Sequence, residues 1–184
     1  QSSKEVKIDS HRLFEPKIKA NDQNIEEATK LIANAKKPIF YIGGGCINSG
    51  PKASKLVTKF VEETKAPATM TLMGLGVIGA KNKYSLGMLG MHGMYEANMA
   101  MHECDVMINI GARFDDRVTG RLDAFAPNSK KIHIDIDPSN INKTIKIDVP
   151  IIGDIESVMN QIFSSWKNNN YKSQKEDLIK WWDK

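Results

Sequence analysis

A three-layer, doubly wound α/β fold is the architecture this sequence predicts. Three observations carry that expectation. Short apolar runs alternate with amphipathic helical stripes along most of the chain. Each apolar run is followed by glycine or by a hydrogen-bonding side chain. Of the 184 residues, 41% are apolar, which is enough to build a core and excludes wholesale disorder. The length fits one domain. We place it at residues 21–165, behind a leader of residues 1–20 and ahead of a tail of residues 166–184 that starts a further helix.

The elements follow in order. Asn21 or Asp22 caps a helix whose stripe is Ile25, Ala28, Leu31, Ile32 and Ala35. Ile39–Ile42 reads as a buried strand, and Gly43-Gly44-Gly45 comes straight after it. Pro51 opens the next helix at a first-turn position that tolerates it, with Ala53, Leu56, Val57, Phe60 and Val61 on one face. Pro67–Leu72 is a second strand. Residues 73–93 read as glycine-rich and irregular, and Met94–Glu103 as a short helix. Asp105–Ile110, Lys131–Ile136 and Val149–Ile152 are further strands. A helix with the stripe Ile155, Val158, Met159, Ile162 and Phe163 follows, then a polar Asn168-Asn169-Asn170 linker. Residues 172–184 begin one more helix, with Leu178, Trp181 and Trp182 on one face.

Charge and composition narrow the function classes. Residues 1–21 and 167–184 each carry five basic and three acidic side chains, so the net charge of +4 sits on the flanks and the middle is neutral. That distribution argues against nucleic-acid binding. No apolar run is long enough to span a membrane, and no signal peptide is visible. Cys46 and Cys104 give neither a disulfide framework nor zinc spacing, so a cytoplasmic setting is the expectation. The chain does not begin with Met and stops just past Trp181-Trp182, as a piece of something longer would.

In doubly wound sheets, ligands bind outside the carboxyl ends of the strands. The strand ends here carry Gly43-Gly44-Gly45, Thr71-Leu72-Met73, the segment Gly111–Arg117, Asp135 with Asp137, and Gly153-Asp154. Ordinary αβ turns also use Gly and Asp, so one turn alone carries little weight; five together point to a nucleotide-type cofactor. Gly74-Leu75-Gly76-Val77-Ile78-Gly79 matches the dinucleotide fingerprint, but no helical stripe follows it, so the ordinary Rossmann reading of that loop fails.

The basic set is 22 Lys and four Arg, and three of the four are Arg113, Arg117 and Arg121. A helix over 113–121 would put all three near one face. Guanidinium forks suit phosphate or carboxylate; the other reading is a local network with Asp115 and Asp116. Eight of nine Met lie between residues 70 and 107. They fill irregular core gaps or line a flat aromatic ligand. His92, His102 and His133 read as structural hydrogen-bonding groups. Gly153-Asp154 lacks the second glycine of a thiamine diphosphate–magnesium motif, so Asp154 reads as a helix cap.

Taken together and in this order, Gly43-Gly44-Gly45, Thr71-Leu72-Met73-Gly74-Leu75-Gly76, Leu89-Gly90-Met91-His92-Gly93, the GARFDDRVTG stretch from Gly111 to Gly120, and His133-Ile134-Asp135-Ile136-Asp137 resemble the central domain of the acetolactate synthase catalytic subunit. The resemblance covers residues 20–184, and GARFDDRVTG is its most specific part. It implies a six-stranded, mostly parallel sheet. It implies an enzyme that joins two 2-oxoacids, pyruvate with pyruvate or 2-oxobutyrate, with loss of CO₂ in branched-chain amino-acid biosynthesis. The cofactors implied are FAD in this domain, with a largely structural role, and thiamine diphosphate with Mg²⁺ in flanking domains. A homo-oligomer of the parent enzyme, with or without a regulatory small subunit, is implied as well.

By that resemblance, Gly43, Gly44 and Gly45 approach the phosphate-bearing part of FAD. Thr71, Leu72 and Met73 pack near the flavin, with Leu89, Gly90, Met91 and His92 beside it. Gly111, Ala112, Arg113, Asp115, Arg117 and Val118 line the extended cofactor. Asp135 and Ile136 hold the adenosine end, near Gly153 and Asp154. Met91 and Arg117 also face the substrate channel. The family's thiamine-activating glutamate belongs to a flanking domain, so the fragment alone is expected to be inactive, with no catalytic residue and no metal ligand of its own. Two other readings compete: the central domain of another thiamine diphosphate decarboxylase or carboligase, and a non-enzymatic interaction domain presenting an exposed Trp181-Trp182 end.

Overall fold

The computed structural model describes residues 19–184. The leader, with His11, therefore lies almost wholly outside the described residues. In chain order the elements are α1 (Asp22–Asn34), β1 (Pro38–Ile42), α2 (Gly45–Asn48), α3 (Pro51–Thr64), β2 (Ala68–Met70), β3 (Ser85–Met88), α4 (Tyr95–Glu103), β4 (Val106–Ile110), α5 (Asp116–Thr119), β5 (Lys130–Asp135), β6 (Val149–Ile152), α6 (Ile155–Asn168) and α7 (Lys175–Trp182). The six strands form one sheet in the order β3-β2-β1-β4-β5-β6. Every neighbouring pair is parallel, so the sheet is wholly rather than mostly parallel.

Local chemistry sets the boundaries. The Asn21 side chain accepts from the Gln23 amide at 2.9 Å and caps α1. Pro38 begins β1, the strand position where a missing N–H does least harm. Just before it, the Lys36 and Lys37 amides donate to the two carboxylate oxygens of Asp105, each at 2.8 Å. That clamp holds the start of β1 against the start of β4. Both strands are buried along their whole length, as continuous apolar runs at the centre of a parallel sheet should be.

The two faces are covered differently. Phe40, Ile42, Met70, Ile108, Ile110, Ile132, Ile134 and Ile151 meet α1, α3 and α6. There Phe60 sits edge-on to Phe40, Phe163 and Trp166, with ring centroids 5.9, 5.2 and 5.4 Å away. The other face carries Ile39, Tyr41 and Met107, and packs under α4 and under loops contributing Ala112, Phe114, Ala126 and Ile147. A parallel crossover ordinarily uses a helix. Between β5 and β6 the chain crosses with a single 3₁₀ turn, Pro138–Asn140.

The structure departs from the sequence expectations in four places. β3 lies inside the segment read as irregular; it is an edge strand, only half buried, and interrupted by Gly87. β2 stops at Met70, because Thr71 caps a 3₁₀ turn over Leu72–Gly74. α6 runs on to Asn168 and buries Trp166, so residues 166–168 are helix rather than linker. Trp181 is buried and donates its indole N–H to the Pro38 carbonyl at 3.1 Å, so an exposed Trp181-Trp182 end is not what the chain presents. Trp182 stays partly exposed and donates to the Lys65 carbonyl. No described helix is long and apolar enough to cross a membrane.

Phe60→Ala removes a ring at the junction of three aromatic neighbours. We expect it to lower unfolding free energy by about 3–5 kcal/mol, read from the denaturant midpoint at unchanged slope.

Candidate functional site

Because all six strands run the same way, their carboxyl ends share one edge of the sheet, and every sequence-predicted site residue lies there. Leu72, Met73, Met91, His92, Arg113, Asp115, Arg117 and Ile136 are exposed. Gly44, Gly45, Thr71, Gly111, Val118 and Asp154 are half-buried. Gly43, Leu89, Gly90, Ala112, Asp135 and Gly153 are buried, so these six shape the edge more than they face outward.

The sheet's hydrogen bonding reaches past the strands and hooks these loops. The Gly43 amide bonds the Ile110 carbonyl, Thr71 the Ile42 carbonyl, Gly111 the Ile134 carbonyl and Gly153 the Asp135 carbonyl, at 2.8–3.0 Å. Strand order reverses between β1 and β4, and there the loops touch directly. A β-carbon on Gly43 would lie 2.1 Å from the Gly111 carbonyl oxygen, and one on Gly45 would lie 2.8 Å from the Gly111 α-carbon. The glycines at 43 and 45 are therefore required by protein packing on protein. Gly44, whose β-carbon would sit 2.9 Å from that of Met73, links this loop to the turn after β2.

The condition for gathering the arginines on one face, a helix over 113–121, is not met; α5 holds only Asp116–Thr119. Arg121 pairs through two nitrogens with Asp123, at 2.8 and 2.6 Å. Arg117 lies 3.9 Å from Asp116, both exposed. Asp115 caps α5 by accepting from the Arg117 amide, and that bond leads the causes holding its carboxyl below the usual range. Among the described residues Arg113 has no carboxylate partner. Between Arg113 and Asp115, Phe114 takes the unusual φ of +40° and buries its ring against Tyr41, Phe125 and His133. Burying that ring turns its two charged neighbours outward.

The methionines divide between core and surface. Met70, Met101 and Met107 fill the core, while Met73, Met91, Met94 and Met99 are exposed.

Asp135 is buried, and burial alone would raise its pKa. His133, whose Nε2 lies 3.5 Å away, the Asp137 amide and the Asn140 side chain together outweigh that and hold it low. Its carboxylate is thus committed to the turn after β5. Asp154 is engaged too: it caps α6 through Ser157 and accepts from the Ser49 hydroxyl at 2.8 Å. His133 is fully buried, and its ring nitrogens lack a hydrogen-bond partner of good geometry among the described residues, so the expected structural hydrogen bond reduces to its approach to Asp135. Burial pushes the thiols of Cys46 and Cys104 up to about 12, which leaves them unreactive at neutral pH.

Two functional-edge residues escaped the sequence reading. Asn109 bonds both the amide and the carbonyl of Ala112, at 3.0 and 2.8 Å, and fixes the turn in which Gly111 takes φ +64°. Asn98 bonds both backbone groups of Gly90. An asparagine inside the apolar run Val106–Ile110 was the available signal for the first. α4 offered none for the second.

Residues 25–162 match the family described as the thiamine pyrophosphate enzyme, central domain. The chain belongs to that family. It is 42% identical over 171 residues to the acetolactate synthase large subunit of Haemophilus influenzae, covering 93% of this chain and 29% of that protein. It is 40% identical over 173 residues to the acetolactate synthase isozyme 3 large subunit of Escherichia coli, covering 94% and 30%. A probable acetolactate synthase large subunit of Methanococcus aeolicus is 40% identical over 190 residues, covering 96% and 31%. The chain thus spans about three tenths of the length of these relatives.

Gly43→Ala drives a methyl group into the Gly111 carbonyl, whereas Gly79→Ala meets open space. The first should cost at least about 1–3 kcal/mol and the second little, compared by chemical denaturation. A carboxyl held low in the folded state adds stability above its unfolded pKa and loses it as pH falls through the folded value. Wild type should therefore weaken below about pH 4, and Asp135→Asn should flatten that part of its stability–pH curve.

Proposed function

We propose that this chain is the FAD-binding central domain of an acetolactate synthase large subunit. The whole protein would condense two 2-oxoacids, pyruvate with pyruvate or 2-oxobutyrate, and release CO₂. The observation that carries the reading is the chemistry of the strand-end edge. Leu72, Met73 and Met91 are 69%, 74% and 66% exposed there, on the same edge as Arg113, which makes no ion pair among the described residues. Large apolar side chains left in water on one edge with an available guanidinium suit a ligand with a flat aromatic end and an anionic middle.

These residues fit FAD. Leu72, Met73 and Met91 would hold the ring system, Arg113 the pyrophosphate, and Ile136 the adenosine end. Gly43 and Gly45 act indirectly, by letting the two central loops close so that the cofactor lies across them. Asp135 and Asp154 shape their turns. In this reading FAD supplies no step of the carboligation and serves as a structural element of the site. Arg117 and Met91 orient substrate at the mouth of the channel.

Thiamine diphosphate and Mg²⁺ would be held by flanking domains of the parent chain, which also supply the activating glutamate. A cytoplasmic homo-oligomer, with or without a regulatory small subunit, completes the reading. The acetolactate synthase names of relatives about 40% identical over nearly the whole chain support it.

Titration of the full-length protein with FAD, followed by flavin fluorescence, tests the assignment. Saturable binding is expected, and Arg113→Ala should weaken it roughly ten- to hundredfold. Absence of binding, or an unaltered affinity in that variant, would refute the FAD role. Residues 1–184 alone should form no acetolactate from pyruvate, while the full-length protein should.

A further inference from the structure

The two residues assigned to the substrate channel sit on different loops, and main-chain bonding joins them. The Met91 amide donates to the Arg117 carbonyl at 3.0 Å. The approach is tight: a β-carbon on Gly90 would lie 2.8 Å from that same oxygen, and Gly90 takes a φ of +103°. Main-chain bonds from Leu89 to the Met70 carbonyl and from Gly93 to the Gly90 carbonyl shape the turn, but apolar packing adds little. Met91 and His92 point into solvent, and Leu89 is its only buried apolar side chain.

Asn98, one turn into α4, supplies the anchor. Its Oδ1 accepts from the Gly90 amide at 2.8 Å, and its Nδ2 donates to the Gly90 carbonyl at 3.0 Å. One side-chain amide thus bonds both main-chain groups of a buried glycine; the carbonyl also accepts from the Gly93 amide at 2.9 Å, whereas the Gly90 amide relies on Asn98. Asn98 is itself fixed, since its amide bonds the Met94 carbonyl and Met94 bonds back to Met88. On the far side, the Arg117 amide is held by Asp115, and Val118 and Thr119 donate to the Asp115 carbonyl. The bonds therefore run without a gap from α4 through Gly90 and Met91 to the Arg117 segment.

From this geometry we infer that Asn98 is a positioning residue. It sets the place of Met91 and, through the Met91–Arg117 bond, of the Arg117 segment on the ligand-facing edge. The inference rests on the proposed FAD site for its ligand; the mechanical link stands apart from it. The chemistry required is specific. Aspartate has the same shape and keeps the acceptor, but when ionised it has no donor and sets a negative charge against the Gly90 carbonyl. Alanine removes both bonds.

The experiment compares wild type with Asn98→Ala, Asn98→Asp and the surface control Glu96→Ala in the full-length protein at pH 7. The readouts are amide hydrogen exchange and FAD titration, with thermal melts to verify folding. The expected result is that both Asn98 variants exchange Gly90, Met91, Val118 and Thr119 at least about tenfold faster than wild type and bind FAD about tenfold more weakly, while the control does neither. Wild-type behaviour of Asn98→Ala, which removes both bonds, would mean that the side chain places nothing, and would overturn the inference. So would faster exchange at Gly90 with Val118 and Thr119 unchanged, or unaltered FAD affinity alongside coupled exchange. Should wild type itself fail to bind FAD, the cofactor reading falls, and the exchange data alone decide the link between the loops.

Discussion

Between β1 and β4 the main chain of residues 43–45 lies against that of residues 111–112, with no room for a single β-carbon on Gly43 or Gly45. This is the place where a doubly wound sheet splits its connections to opposite sides and ordinarily leaves a crevice. Here the crevice floor is filled by backbone. The ladder bonds that run one residue past β1, β2, β4 and β6 keep it filled. Whatever binds must lie over the loops, and the side chains that turn outward along them become its contacts. Exposure of Leu72, Met73, Arg113 and Ile136 follows from that closure.

Exposed loops on a closed floor need their own fixings, and short polar side chains provide them. Thr71, Asn98, Asn109, Asp115, Asp135 and Asp154 each bind main-chain groups of a strand-end segment. The face that carries α4 depends on this most. Loops rather than helices cover much of it, and Phe114, Ala126 and Ile147 do the packing that a helix would do elsewhere. The opposite face, under α1, α3 and α6, is an ordinary helix-on-sheet core centred on Phe60. One side of the sheet gives stability through apolar area; the other holds a shape.

Much of this was legible in the sequence where periodicity is strong. The stripes of α1, α3 and α6, and the apolar runs of β1, β4 and β6, stand out because each buries a whole face or both faces. β3 was invisible for the opposite reason. It is a half-buried edge strand with a glycine in it, and only its neighbour β2 makes it a strand. The spacing by four of Arg113, Arg117 and Arg121 does not mark a helix, because Phe114 puts its ring into the core and breaks the run. The strand-end motifs all fall on the carboxyl edge of the sheet, but they do not reveal the division of labour within it. Periodicity cannot distinguish a glycine that admits a ligand from one that admits another loop. Nor can it distinguish Asp135, spent on its own turn, from Arg113, which makes no ion pair among the described residues.

The two tryptophans of α7 also fix that helix to the sheet, at the end opposite the strand-end loops. Trp181 grips the carbonyl of Pro38 and Trp182 that of Lys65, so the helix is tied to the roots of β1 and β2. The tips of those same strands carry Gly43–Gly45 and the Leu72–Gly74 turn. One helix thus moors the two strands at the end opposite the loops that carry Leu72 and Met73.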